Sequence, residues 1–500
     1  MLPFVFLLAS LGGNVARVQQ HYDTVETKRL VPMLSEVLRF PTFEHGDQAL
    51  ADQKAWLMKT GEALGFVVRD AGHITEIELP AADKNAPVLG LIVHGDVQPV
   101  DAEAWSFPPF GGTFDDKYVY GRGAADDKGP LVQALLAMKA LKESGVKRTH
   151  TVRLLVGSSE ESDADEMPEY LKTHAPPDYS LVLDSAFPVV VGEKAWNSLT
   201  VTTTLAERPG VEKPYEVIFG MWAGLGPSIV PDHAELTLHW KEGYGRWEPV
   251  MNAIRAVPLP EGTRLQMKDD VDTLRIVVYG HSAHAGVNIE GGRNALVALA
   301  RVMENILPSG GANDLFTFAR IAGQDLYGTG LGFRESDPLW GRYAVNVATI
   351  AMDPQDTQKY TLTINIRSTP PRTGEELQKY LEKFVADFNR TTGASLVAGG
   401  YFGDKTLGFN PRAKLIQRLL GDYERATGVA ERPSISGGGT YAKRVPNSIA
   451  FGMWFPGKPY PGHDVDEKIE IADLQKGERV LIYALTDLAT GRRIREPFKP

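Results

Sequence analysis

In LIVHGDVQP, Leu91 to Pro99, an apolar run ends in a histidine and a carboxylate two residues apart. Ala86 to Val93 has the length, apolar content and bounding turn residues of a buried strand. In extended chain, residues i and i+2 project to the same side. His94 and Asp96 therefore face one site if the extension persists through Gly95. Asp96 can then hold the His94 imidazole in one tautomer, or orient a metal-bound group from behind. Taken alone, the stretch would also suit a strand end with two solvated polar residues, so the rest of the chain has to decide.

The same device recurs on the C-terminal side. Trp105 to Pro130 is a long loop rich in Gly, Pro and aromatic residues, of the kind a compact domain keeps where it builds a site. A helix is expected over Pro130 to Ser144, with Leu131, Leu135, Met138 and Leu141 on one face. Thr151 to Gly157 reads as a second buried strand and runs into SSEES, Ser158 to Ser162; Tyr179 to Leu183 reads as a third and ends in Asp184. Asp126, Glu160, Glu161 and Asp184 are thus spaced by about 23 to 35 residues, as successive β–α units would space them. Each falls at a strand's C-terminal end or a helix start, the edge of an open α/β sheet where ligands bind.

Further out, an apolar stripe of Val25, Leu30, Met33, Leu34, Val37 and Leu38 predicts a helix from Thr24, and Gln53 to Leu64 predicts another. Past Gly192 the pattern changes to alternating strands (Leu199 to Leu205, His233 to Trp240, Thr273 to Tyr279) and two long amphipathic helices (Gly292 to Ile306, Glu375 to Phe388), an α+β texture. From Asn410 the first texture returns: a helix over Ala413 to Ala426, the glycine run SGGGTYAKR at Ser436 to Arg444, a strand over Ser448 to Met453, and PGHDVDEKIEI containing His463. The expected architecture is an α/β catalytic domain, 21–192 and 403–500, interrupted by an inserted α+β domain, 193–402. The first 20 residues form an apolar segment of signal-peptide length without a basic start, too short to span a bilayer. Export to the periplasm or medium is the expectation, with a buried N-terminal helix, a misplaced start and a cytoplasmic protein as alternatives.

The 500 residues carry 53 Lys+Arg against 63 Asp+Glu, a net charge of −10, with 43% apolar content and no cysteine. The acidic balance argues against nucleic acid or an anionic membrane as partner. Without cysteine there are neither disulfides nor thiolate ligands, so any metal must be held by His, Asp and Glu. Two ions bound that way need a shared carboxylate, and the chain offers a set: His94 and His463 with one imidazole each, Asp126 bridging, and Glu161 and Asp184 completing one ion apiece. Glu160, beside a ligand, is placed to take a proton from a metal-activated water. Carboxylates crowded at one sheet edge would repel one another without cations.

At these residues the chain resembles a known family. HGDVQP, GRGAADDKGP, SSEES, LVLDSAFP, GHSAHAG, SGGGTYA and PGHDVDE follow in the order of the di-zinc hydrolases that include carnosinase, acetylornithine deacetylase, carboxypeptidase G and the peptidase V dipeptidases, with FPVVVGEKA and GGGTYAKR nearest the last of these. The resemblance implies a zinc-exopeptidase-type catalytic domain, a mixed twisted sheet flanked by helices, with the insert as a lid. It implies two Zn2+ ions per chain, replaceable by Co2+ or Mn2+, on His94, Asp126, Glu161, Asp184 and His463, and a cis Asp126–Asp127 bond. Asp96 would orient His94 and Glu160 would be the general base. His284 would donate to the oxyanion and Arg367 receive the substrate carboxylate, while Gly437, Gly438 and Gly439 would bring backbone N–H groups close to a ligand. One departure stands out: Ser159 precedes the base where many relatives carry Asp. The implied activity is hydrolysis of dipeptides or similarly small peptides. Deacylation of N-acyl amino acids on the same fold is one alternative, a non-catalytic peptide-binding protein another. The insert is large enough to complete a site within one chain, so a monomer is expected, a homodimer being the alternative.

Overall fold

The structure, a computed structural model, describes residues 2–43, 47–162, 165–209, 212–217, 220–242 and 246–500, and only the backbone of residues 2–11 and 47. The chain divides into two compact units, one formed by Met1–Glu193 with Leu407–Pro500, the other by Lys194–Thr406.

The first unit is built on a six-stranded sheet, in the spatial order Val67–Ala71, Ile74–Leu79, Thr151–Gly157, Val88–His94, Tyr179–Val182, Ser448–Ala450. Val88–His94 lies between two parallel neighbours, with His94 opposite Gly157 and Leu91 opposite Leu181. Because parallel strands end on the same edge, His94, the Ser158–Ser162 turn and Asp184 leave the sheet side by side. The hairpin Val67–Leu79, which the strand pattern did not reveal, adds an antiparallel margin. Its second strand is buried throughout and belongs to the core. The helix Lys128–Glu143 is buried on nearly every face, as expected of a helix packed between layers. The long C-terminal helix Ile471–Thr490 packs against it.

The apolar N-terminal segment forms the helix Leu2–His21, whose distal half carries Val15 and Val18 into buried positions; Met1 lies outside the described residues. Among the described residues no helix is long and apolar enough to cross a membrane. Helix starts fall within one residue of expectation at Gly374–Thr392 and Lys414–Thr427, while the helix expected from Gln53 begins six residues earlier, as Asp47–Ala63. The helix expected over Gly292 to Ile306 is shorter, Ala295–Val302, begun by the Asn294 side chain accepting from the Val297 N–H. The expected strand Ser448 to Met453 is broken at the cis Gly452–Met453 bond into Ser448–Ala450 and Met453–Trp454.

The second unit is an antiparallel sheet of nine strands among the described residues. Its longest pair is the hairpin Ala344–Asp353 and Asp356–Ser368, the latter joined by Ala195–Thr204 and then Val397–Gly403. Helices Ala295–Val302, Gly311–Ala322 and Gly374–Thr392 contribute to its own core with Leu236, Ile276, Ile364 and Leu377.

Candidate active site

At the C-terminal edge of the first unit's sheet the structure gathers the expected histidines and carboxylates. The His94 ring is fully buried. Its Nδ1 lies 3.0 Å from the Asp96 carbonyl oxygen and its Nε2 lies 3.0 Å from Asp126 Oδ1, with Asp184 Oδ2 at 3.8 Å. His463 Nε2 lies 3.0 and 3.1 Å from the two Glu161 oxygens and 3.2 Å from Asp126 Oδ2. Asp126 therefore turns one oxygen to each histidine. Two trios, His94–Asp126–Glu161 and His94–Glu160–Asp184, have ligand atoms within 4.8 Å of one another. The Asp126–Asp127 bond is cis, as the resemblance implied. His463 has φ of 66°, a left-handed backbone uncommon outside glycine, and such residues cluster where a side chain must be aimed.

The turn holding Glu160 and Glu161 is pinned from several sides. The Asp96 carboxylate accepts the N–H of Glu160 at 3.2 Å and of Glu161 at 2.9 Å, and Gln98 Nε2 donates to Glu161 Oε2 at 3.0 Å. Asp96 thus meets the imidazole mainly through its carbonyl, its carboxylate Oδ1 standing 3.5 Å from Nδ1. Glu166 accepts from the N–H groups of Ser158 and Ser159 and from the hydroxyls of Ser159 and Tyr441. Gly157 has to be glycine: a Cβ there would stand 2.0 Å from the Tyr441 hydroxyl. The run Gly437–Gly439 leaves the strand Ser434–Ser436, with the Gly438 N–H donating to Ser436 Oγ, and continues into Thr440, whose N–H and hydroxyl donate to buried Glu193.

Charge is concentrated here. Burial, then the Asp184 charge, pushes Glu160 well above the usual carboxylate range, and burial with the Asp126 charge does the same to Asp184. Asp126 is held well below that range although burial opposes it, because both histidines hydrogen-bond it. Burial also opposes charge on His463, yet Glu161 and Asp126 raise it to about 10. Four carboxylates share two imidazoles, all without thiolates, a donor set suited to divalent cations, whose charge would relieve the repulsion among the acids.

The second unit brings His284 and Arg367 into one patch. His284 Nδ1 accepts the N–H groups of Gly286 and Val287, both at 2.9 Å. The ring proton of the neutral imidazole is therefore on Nε2, which becomes a donor. Arg367 is buried, its Nε donating to Asn365 Oδ1 at 2.8 Å and its Nη2 to Ser228 Oγ at 2.9 Å. Trp196 Nε1 donates to the same Ser228 oxygen at 3.0 Å. Two donors occupy the lone pairs of that hydroxyl, which leaves its O–H as a donor. The Ser228 segment runs beside His284, with Ala285 N–H donating to the Ser228 carbonyl, and Asn346 Nδ2 holds the carbonyls of Pro227 and Ile229. Ser228, Trp196, Asn365 and Asn346 were not found from sequence. GPSIVPD at Gly226 to Asp232, a polar break between strands, was the available signal.

A sheet edge lined by histidine and carboxylate, on a catalytic unit interrupted by a second α+β unit, defines a metallopeptidase architecture. The chain belongs to peptidase family M20/M25/M40, whose sequence model matches residues 90–487. YtjP of Bacillus subtilis (strain 168), named as a candidate dipeptidase, is 28% identical over 476 residues, covering 93% of this chain and 96% of YtjP. Among solved structures, the di-peptidase Dug1p of Saccharomyces cerevisiae superposes with a TM-score of 0.61 at 14% identity, over 94% of this chain and 98% of Dug1p. Human carnosine dipeptidase 1 gives 0.59 at 14% identity, over 96% and 98%. The α/β class and family expected from sequence are borne out, and the family is metal-dependent.

Proposed function

We propose that this chain hydrolyses the peptide bond of dipeptides or similarly small peptides on a centre of two divalent ions, zinc being the expected metal, with Glu160 as general base. One observation carries the reading: the Asp126 carboxylate is shared between His94 and His463, each histidine being paired with its own further carboxylate, Asp184 and Glu161. The residues fit such a pair of ions. His94 and Asp184 would hold one, His463 and Glu161 the other, and Asp126 both. The chemistry ions supply in such a site is polarisation of the scissile carbonyl and acidification of the attacking water.

Glu160 takes the proton of that water as its oxygen attacks the carbonyl carbon. It returns the proton to the leaving nitrogen as the C–N bond breaks, giving an amine and a carboxylic acid whose remaining proton passes to the amine or to solvent, and restoring the base. The Asp96 carboxylate, by accepting the Glu160 and Glu161 N–H groups, holds this base beside the ligand cluster. His284 Nε2–H is proposed to donate to the oxygen that gains charge, and Arg367, with its fork pre-set by Asn365 and Ser228, to read the substrate's C-terminal carboxylate. YtjP, Dug1p and carnosine dipeptidase 1 all carry dipeptidase names, which supports this substrate class. The test is a screen of zinc-loaded protein against dipeptides, longer peptides and N-acyl amino acids. Turnover of dipeptides, falling with peptide length, is expected. Release of amino acid from N-acyl compounds and from no dipeptide would replace this reading with deacylation.

A further inference from the structure

Four residues beyond His463, a glutamate is fully buried next to the histidine–carboxylate cluster without belonging to it. Glu467 Oε1 accepts the backbone N–H of Ala125 at 2.8 Å and of Asp126 at 3.3 Å. Its Oε2 accepts the N–H of Gly123 at 3.1 Å and Arg122 Nη1 at 2.8 Å. Glu467's own carbonyl accepts the Gly121 N–H at 3.0 Å. An ionised carboxylate has about four lone-pair sites, and here three backbone N–H groups and a buried arginine fill them. The arginine side chain is 4% exposed and the glutamate 0%, so each satisfies a charge that burial would otherwise make costly.

The amides held in this way belong to the loop that ends in Asp126, the carboxylate facing both histidines. The glutamate holding them sits on the segment that presents His463. Two stretches 341 residues apart are thus tied through one side chain, at the point where their ligand atoms meet. The tie is extended on either side: Asp466 accepts from the N–H and hydroxyl of Ser106 at 2.7 Å, and Lys468–Glu470 pairs antiparallel with Tyr118–Tyr120.

We propose that Glu467, backed by Arg122, is a positioning residue that sets the spacing between the Asp126 and His463 loops and so makes binding of one ion favour binding of the next. The inference rests on the two-ion reading above. Glutamine at this position keeps the shape but turns an NH2 group toward N–H donors, so at least one amide of the Asp126 loop loses its acceptor. Arg122→Met instead leaves the glutamate without its cation.

The experiment titrates metal-free wild type, Glu467→Gln, Arg122→Met and Arg122→Lys with Zn2+ against a chromogenic chelator. Stoichiometry, the two stepwise affinities and the melting temperature of the chelated protein are read for each. Glu467→Gln and Arg122→Met should weaken the second equivalent of zinc by about 10- to 100-fold, as loss of a group supporting a metal ligand typically does, with the first equivalent less affected and Arg122→Lys partly restored. Activity at limiting zinc should fall in proportion and recover with excess zinc, at unchanged KM. Two equivalents bound at wild-type affinity in both Glu467→Gln and Arg122→Met, with only a lower melting temperature, would make the clamp purely structural and overturn the proposal. A wild type that takes up no second ion would remove the two-ion reading, and the proposal with it; that failure shows in the wild type and not in the variants.

Discussion

At the scale of single residues, neighbours in sequence are expected to fail in different ways. Glu160→Gln keeps the candidate ligand set and removes the base, so kcat should drop by about 10² to 10⁴ fold with metal content unchanged by elemental analysis. Glu161→Gln, which faces His463, should lose metal. A Glu160→Gln enzyme that turns over normally would take the base role away from this residue. In the second unit, the neutral His284 ring with its proton on Nε2 predicts a kcat effect: His284→Ala should cost about 10² to 10³ fold, the loss seen when oxyanion donors are removed. Ser228 is a different case, because its oxygen is already committed to Arg367 and Trp196. Ser228→Ala should raise KM for dipeptides by about tenfold or more, as befits a hydrogen bond to a charged group. C-terminal amidation of the substrate should erase the difference between the variant and wild type; if the variant loses equally on amidated and free dipeptides, Ser228 and Arg367 do not read the carboxylate.

At the scale of elements, the exit of the strand Thr151–Gly157 is the tightest joint. Gly157→Ala would push the Tyr441 hydroxyl off Glu166, which also holds the amides of Ser158 and Ser159. A loss of about 1 to 3 kcal/mol is expected from such overpacking, measured by denaturant unfolding. Because the Glu160–Glu161 turn hangs from the same contacts, kcat should fall too. Tyr441→Phe in the Gly157→Ala background should relieve part of the clash, and stability that does not recover would place the strain elsewhere. By contrast the helix Gly374–Thr392 begins with a capping box between Thr373 and Glu376, remote in sequence from every candidate site residue except Arg367. Thr373→Ala should cost about 0.5 to 2 kcal/mol without altering metal content.

At the scale of the whole molecule, all five candidate ligands lie in the unit formed by Met1–Glu193 and Leu407–Pro500. Zinc bound only to folded protein adds stability that grows with its concentration over Kd, about 2.7 kcal/mol at a hundredfold excess. Chelation should therefore lower the melting temperature, and in hydrogen exchange the largest gain should fall in the segments around His94, Asp126, Glu160, Asp184 and His463. Exchange that rises elsewhere and not there would move the metal away from this cluster. Local pattern carries part of this architecture without any tertiary information. An apolar run that stops at a histidine or acid marks a parallel strand and its polar exit at once, and helix periodicity is visible without neighbours, so the α/β class, the family and the histidines and carboxylates that meet at the sheet edge were legible. The hairpin Val67–Leu79 escaped because charged residues interrupt it, and Glu76 and Glu78 are buried only through partners distant in sequence, Tyr170 and Arg153. Only tertiary structure decided the strand order, the two-sided use of Asp126, the Glu467 clamp and the Ser228–Trp196–Arg367 contacts. Each is a choice of hydrogen-bond partner across tens to hundreds of residues, and a buried carboxylate or hydroxyl has the same sequence signature whichever donor it accepts.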